Sequence, residues 1–177
     1  MDQKKKSSKC TECGRECEAP AVRLIDGKPV CLDCLYGGAK PVRVWPIGRI
    51  VNDRKRVGGG FGTTGGDVSE IRLSPGMARF MKGLADESHL TIVWQLHEAG
   101  PIRTVFRRGW DGKEVGAFAS RTPDRLTPIA VTDVQLLEVR GTTLTVRGLD
   151  AVNGTPVLDI KVAPESLRRT GKGNRRG

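Results

Sequence analysis

Residues 129–147 read IAVTDVQLLEVRGTTLTVR. Two runs rich in Ile, Val and Thr, 129–139 and 143–147, flank Arg140-Gly141-Thr142. β-branched residues suit a pleated surface, and a glycine-bearing break between two such runs predicts a hairpin. Working outward, residues 90–96 (LTIVWQL) form the most apolar strand candidate. Residues 68–73, 114–120 and 157–162 read as further strands. Residues 42–45 and 47–51 read as strand segments broken at Pro46, which cannot donate to a ladder. Residues 150–155 form a second tight turn. Ser74-Pro75 reads as a helix start, with Met77, Phe80, Met81 and Leu84 on one face. Seven or eight short strands, one principal helix and no β-α-β alternation predict a mainly β domain, an antiparallel barrel or sandwich.

Composition agrees. The 177 residues are 37% hydrophobic, and no apolar run reaches the roughly 18 residues that a membrane span needs. The 23 glycines and 5% aromatics suit strands and turns more than bulky helical packing. Residues 57–66 hold six of the glycines but lack the phosphate-loop pattern, so they read as a surface loop.

The formal charge is +10, and it gathers at the ends. Lys4, Lys5, Lys6 and Lys9 face only Asp2; Arg168, Arg169, Lys172, Arg175 and Arg176 face no acid within 168–177. Without an apolar pattern, residues 1–9 and 165–177 read as flexible basic tails, able to attract a polyanion by counterion release. No apolar segment follows the basic start, so a cytoplasmic chain is expected.

All five cysteines lie within residues 10–34. Cys10 and Cys13 form CTEC; Cys31 and Cys34 form CLDC. Paired CxxC motifs at this separation predict a closed tetrahedral zinc site, structural rather than catalytic. Two independent redox dithiols are the other reading. An Asp26-Gly27 turn would return the chain between the pairs. Cys17 stays outside the ligand set, as a small buried residue or a free thiol. Residues 10–41 are therefore the zinc-ribbon-like module with its linker, and 42–164 the main domain.

Two polar segments stand out, 121–128 and the turn 150–155. In 121–128, Arg121 and Arg125 lie four apart beside two prolines and could form a fixed corner for an anion. His89 and His97, at opposite ends of a strand about 26 Å long, cannot share a metal.

Residues 115–130, VGAFASRTPDRLTPIA, resemble the hallmark segment of the TsaA/TrmO family, GVFATRSPxRPNPIG. Residues 147–161, RGLDAVNGTPVLDIK, resemble its second hallmark, RGLDxxDGTPxLDIKP. SHLTIVWQLH (88–97) and Pro46-Ile47-Gly48 resemble two further family segments. The resemblance covers about residues 45–162. It implies a small β-barrel and an S-adenosylmethionine-dependent methyltransferase acting on N6 of threonylcarbamoyladenosine at tRNA position 37, working as a homodimer. It implies a donor site of His97, Glu98, Arg121, Val131, Asp150, Ala151, Val152 and Asn153. Asp150 and Arg125 are the residues expected at the reacting centre. The turns 121–128 and 150–155 are expected to converge on the donor.

Four positions depart from the pattern: Leu126, Thr127, Ala130 and Asn153. Thr127 in place of asparagine exchanges a planar donor–acceptor amide for a hydroxyl. These departures keep two alternatives open, a non-catalytic RNA- or donor-binding protein on the same barrel and a zinc-bearing interaction module.

Overall fold

The computed structural model describes residues 7–55 and 67–170. In chain order the strands are β1 (Ser7–Lys9), β2 (Glu16–Glu18), β3 (Val22–Ile25), β4 (Lys28–Cys31), β5 (Gly48–Val51), β6 (Val68–Leu73), β7 (His89–Gln95), β8 (Val105–Arg107), β9 (Glu114–Gly116), β10 (Ile129–Arg140), β11 (Thr143–Arg147) and β12 (Pro156–Val162). Helices α1 (Leu32–Tyr36) and α2 (Glu165–Thr170) are short. The chain forms two compact units: residues 1–43 with 98–128, and residues 44–97 with 129–177.

The second unit is a closed antiparallel barrel in the order β10-β11-β6-β5-β12-β7. Alternate side chains of a strand face one side, so period-two burial marks the inner face. Leu90, Ile92 and Trp94 of β7, Ile71 and Leu73 of β6, and Leu144 and Val146 of β11 all turn inward. Trp94 satisfies its indole N–H on Thr132 Oγ1 at 3.1 Å. Register breaks in β10, between Leu136 and Glu138, and in β12, between Val157 and Asp159, supply the local bends that closure needs. At Gly48 a Cβ would lie 2.5 Å from the Arg72 carbonyl oxygen, so β5 and β6 approach too closely there for any other residue. β7 and β10 pair directly, Gln95 opposite Ile129, although residues 96–128 intervene.

In the other unit, β1 pairs with β2, β3 with β4, and β8 with β9. The β3–β4 turn is Asp26-Gly27, at φ 49° and 77°, the left-handed pair that a two-residue hairpin demands. Its small core consists of Cys10, Val30 and Cys31, with Cys17, Ile25 and Leu35 packed against it. Cys17 is thus a half-buried packing residue, and burial pushes its thiol pKa up.

Several expectations change. The segment read as the principal helix is a 3₁₀ stretch, Pro75–Phe80, followed by another at Leu84–Asp86. Gly83 at φ 81° ends any continuation. Met77, Met81 and Leu84 still pack on the barrel core, while Phe80 is exposed. Residues 42–45 form no strand, because no neighbouring strand pairs with them. β9 stops at Gly116, and Ala117–Ala119 is a 3₁₀ turn. Ser7–Lys9, read as tail, pairs with β2, and Glu165–Thr170 is helical. The rest of both tails, 1–6 and 171–177, and the glycine-rich segment 57–66 lie outside the described residues. Residues 98–128 group with the cysteine module, whereas the expected boundary put them in the domain 42–164.

Candidate functional site

In the barrel unit a polar constellation surrounds residues 148–155. Asn52 and Arg54, just past β5, brace this turn from the side. Asn52 Nδ2 donates to the Ala151 carbonyl at 2.9 Å and to Ser69 Oγ at 3.0 Å. The Asn52 N–H donates to Asn153 Oδ1 at 3.2 Å, and the Asn153 N–H donates to the Arg54 carbonyl at 2.9 Å. Arg54 Nη1 donates to Asp150 Oδ1 at 2.8 Å, and Nη2 pairs with Asp67. Arg54 is only 14% exposed, so this pair is less screened than an open surface pair. Ala151 and Val152 are buried, and Asp150 is half-buried.

Thr155 closes the turn. It is wholly buried, and its Oγ1 lies 3.2 Å from His97 Nδ1. The structure therefore brings His97 to the turn through Thr155, fixing the orientation of the ring. Val131, also expected at the site, is exposed on the outer side of β10. An open cleft of about 340 Å³ borders the turn, lined by Arg49, Ile50, Val51, Arg72, Asn153 and Gly154.

Glu98, Arg121 and Arg125 belong to the other unit. Arg125 is not a free corner cation. Its Nη2 donates to the carbonyls of Ala117, at 3.0 Å, and Ser120, at 3.3 Å, tying the 117–125 loop to itself. Its Nε–H is buried without a partner among the described residues. Asp124 caps the same loop, accepting the Gly100 N–H at 3.0 Å.

The four cysteines of the two CxxC motifs converge. Their sulfurs all lie within 4.8 Å of one another. Cys10 and Cys34 sulfurs are 3.9 Å apart, Cys13 and Cys31 sulfurs 3.8 Å. Zinc–sulfur bonds of about 2.3 Å in a tetrahedron give edges of about 3.8 Å, so the donor set fits that ion. Backbone hydrogen bonds from Cys13 and Cys31 lower the Cys10 pKa to about 6. Arg15 lowers that of Cys13 and pairs with Asp33 at 3.0 Å. Cys34 is pushed up to about 12, chiefly by its hydrogen bonds to Cys31 and Cys13. Four thiols this close cannot all ionise without a cation among them.

Asn52, Arg54 and Thr155 were not among the site residues that the sequence suggested. Thr155 stood in the quoted hallmark and could have been found there. Asn52 and Arg54 act through pairings about a hundred residues away, for which no local signal exists.

Comparison with known proteins bears on this geometry. Residues 62–165 match the family described as tRNA-methyltransferase O N-terminal domain. The chain is 35% identical over 105 residues to a "Probable S-adenosyl-L-methionine-binding protein" of Archaeoglobus fulgidus, covering 59% of this chain and 29% of that protein. It is 34% identical over 84 residues to the human "tRNA (adenine(37)-N6)-methyltransferase", covering 46% and 19%. The chain thus spans less than a third of the length of these two curated relatives. A crystal structure of TrmO from Pseudomonas aeruginosa superposes with a TM-score of 0.58 at 24% identity, covering 78% of this chain and 61% of that one.

Proposed function

We propose that this chain, which belongs to the tRNA-methyltransferase O N-terminal domain family, binds S-adenosylmethionine and methylates an RNA adenine, with N6 of threonylcarbamoyladenosine at tRNA position 37 as the acceptor. The observation that carries the reading is the 148–155 turn, whose hallmark sequence is held in one conformation by Asn52, Arg54 and Thr155. The name of the human relative supports the acceptor, and that of the archaeal relative supports the donor.

When bound, the donor supplies an activated methyl group, so the protein's task is orientation more than acid–base work. The turn Asp150 to Asn153 would hold the donor's polar groups. Asp150 already accepts from Arg54 through Oδ1, which suits it to a binding role in which its other oxygen would take a ribose or amine group. His97, steadied by Thr155, presents a fixed ring. Arg121 would take an acidic group of the donor or an RNA phosphate, and Glu98 an amine, while Arg125 braces the loop that carries Arg121. A base of an RNA loop can be splayed out and stacked. Trp110, 63% exposed with Arg108 over its ring, offers such a stacking surface.

The four cysteines would hold one structural zinc, and the chain would work as a homodimer. Among the described residues no helix is long and apolar enough to cross a membrane; a tRNA substrate would place the chain in the cytoplasm.

The test is incubation with labelled S-adenosylmethionine and tRNA that lacks the anticodon-loop methyl group, followed by nucleoside analysis. Label in a modified adenosine at position 37 is expected. Donor binding without label in any nucleoside would replace this reading with the non-catalytic one, for which Leu126, Thr127 and Asn153 are the chemical grounds.

A further inference from the structure

Asp26 links the four-cysteine module to the segment that leads into the Arg121–Arg125 loop. Asp26 sits at the first turn position of the β3–β4 hairpin, at φ 49°. Its N–H donates to the Ile102 carbonyl at 3.0 Å. Its carboxylate accepts the Thr104 N–H at 3.0 Å and also the Thr104 hydroxyl. A parallel bridge joins Ile25 to Ile102 beside it.

Hydrogen bonds run on from this clamp in both directions. Toward the cysteines, Val22 pairs with Cys31, whose N–H donates to Cys10 Sγ at 3.3 Å. Toward the loop, the Thr104 carbonyl accepts the Ala117 N–H at 2.9 Å, and the Arg103 N–H donates to the Asp124 carbonyl at 3.1 Å. Arg125 then closes on the Ala117 and Ser120 carbonyls. The links lie within one unit of the fold.

The choice of residue is informative. A two-residue hairpin turn is served by Asn-Gly or Gly-Gly as well as by Asp-Gly. An Asp turn side chain commonly bonds its own backbone two residues on. Here the carboxylate is committed to a residue 78 positions away. We propose that Asp26 is a positioning residue that makes the arrangement of the Arg121–Arg125 loop, and through it donor affinity, depend on the metal-loaded cysteine module. The donor part of this inference rests on the function proposed above; the coupling itself does not.

The experiment uses the full chain as isolated, with metal content measured for each protein. Asp26→Gly keeps a residue suited to the left-handed turn and removes the carboxylate. Asp26→Asn keeps one acceptor oxygen. In Asp26→Gly with metal content intact, the amides of Arg103 and Ala117, neither bonded to Asp26, should exchange about tenfold faster, the scale of one lost charge-assisted hydrogen bond. Donor affinity should fall by a similar factor, with Asp26→Asn between the two. Chelating the metal from the wild-type chain should speed exchange at the same amides. Unchanged exchange in Asp26→Gly, or after chelation, overturns the coupling. Faster exchange with unchanged donor affinity overturns the positioning role. A wild-type chain with no donor affinity defeats the donor reading, and the exchange result then decides the coupling alone.

Discussion

Arg54 Nη1 lies 2.8 Å from Asp150 Oδ1, tying the end of β5 to the hallmark turn 96 residues further along the chain. With Asn52, it makes the turn a fixed part of the barrel. Arg54→Ala should cost about 1–2 kcal/mol of stability, the range for a charge-assisted hydrogen bond that is partly screened. Donor affinity should fall by a larger share than stability alone explains. Chemical denaturation and titration with S-adenosylmethionine on the same protein read the two effects separately. Unaltered donor binding would take the turn out of the donor site.

Cys31 is both a donor-set sulfur and a residue of the small core. The wild-type chain should carry one zinc, and Cys31→Ser should carry none. Metal content by elemental analysis checks this, and a wild-type value near zero would defeat the site. Because the ligands must be deprotonated, metal retention should weaken as pH falls, most visibly under competition with a chelator.

Asp26 gives a separate acid signature. Hydrogen bonds from the Thr104 side chain and backbone hold its carboxyl below the ordinary aspartate value of 3.8. Its stabilisation is therefore complete above that ordinary value and is lost as pH falls through the lower, folded one. A Thr104→Val protein should show a carboxyl at Asp26 that titrates closer to the ordinary value, measured by carboxyl-resonance NMR against pH.

Gly48 tests barrel closure. A methyl group there would meet the Arg72 carbonyl at 2.5 Å and the Leu73 Cα at 2.8 Å, both backbone atoms that cannot swing aside. Gly48→Ala should destabilise the barrel by about 2–3 kcal/mol through overpacking. Thermal unfolding with its transition unshifted would contradict the close approach.

The barrel was legible because burial alternates along β6, β7 and β11 as the sequence does. The convergence of the four cysteines was legible because two CxxC pairs at this separation suit a shared site. The helix reading failed because Met77, Met81 and Leu84 satisfy a helical period while their backbone runs as two 3₁₀ turns parted by Gly83. The grouping of residues 98–128 with the cysteine module was not legible. Asp26 reaching Thr104 is one of the pairings behind it, set by tertiary structure and invisible to any local window. The pairing of Arg125 with its own loop was hidden for a related reason, since carbonyl acceptors leave no mark in sequence.

Gln95 and Ile129 face each other across β7 and β10, so the chain leaves the barrel and re-enters it at adjacent points. Topologically, residues 96–128 are the tip of an ordinary hairpin. Closure entropy grows only slowly with the length of such a tip. Evolution could therefore lengthen, shorten or exchange this excursion while the staves around it keep their register.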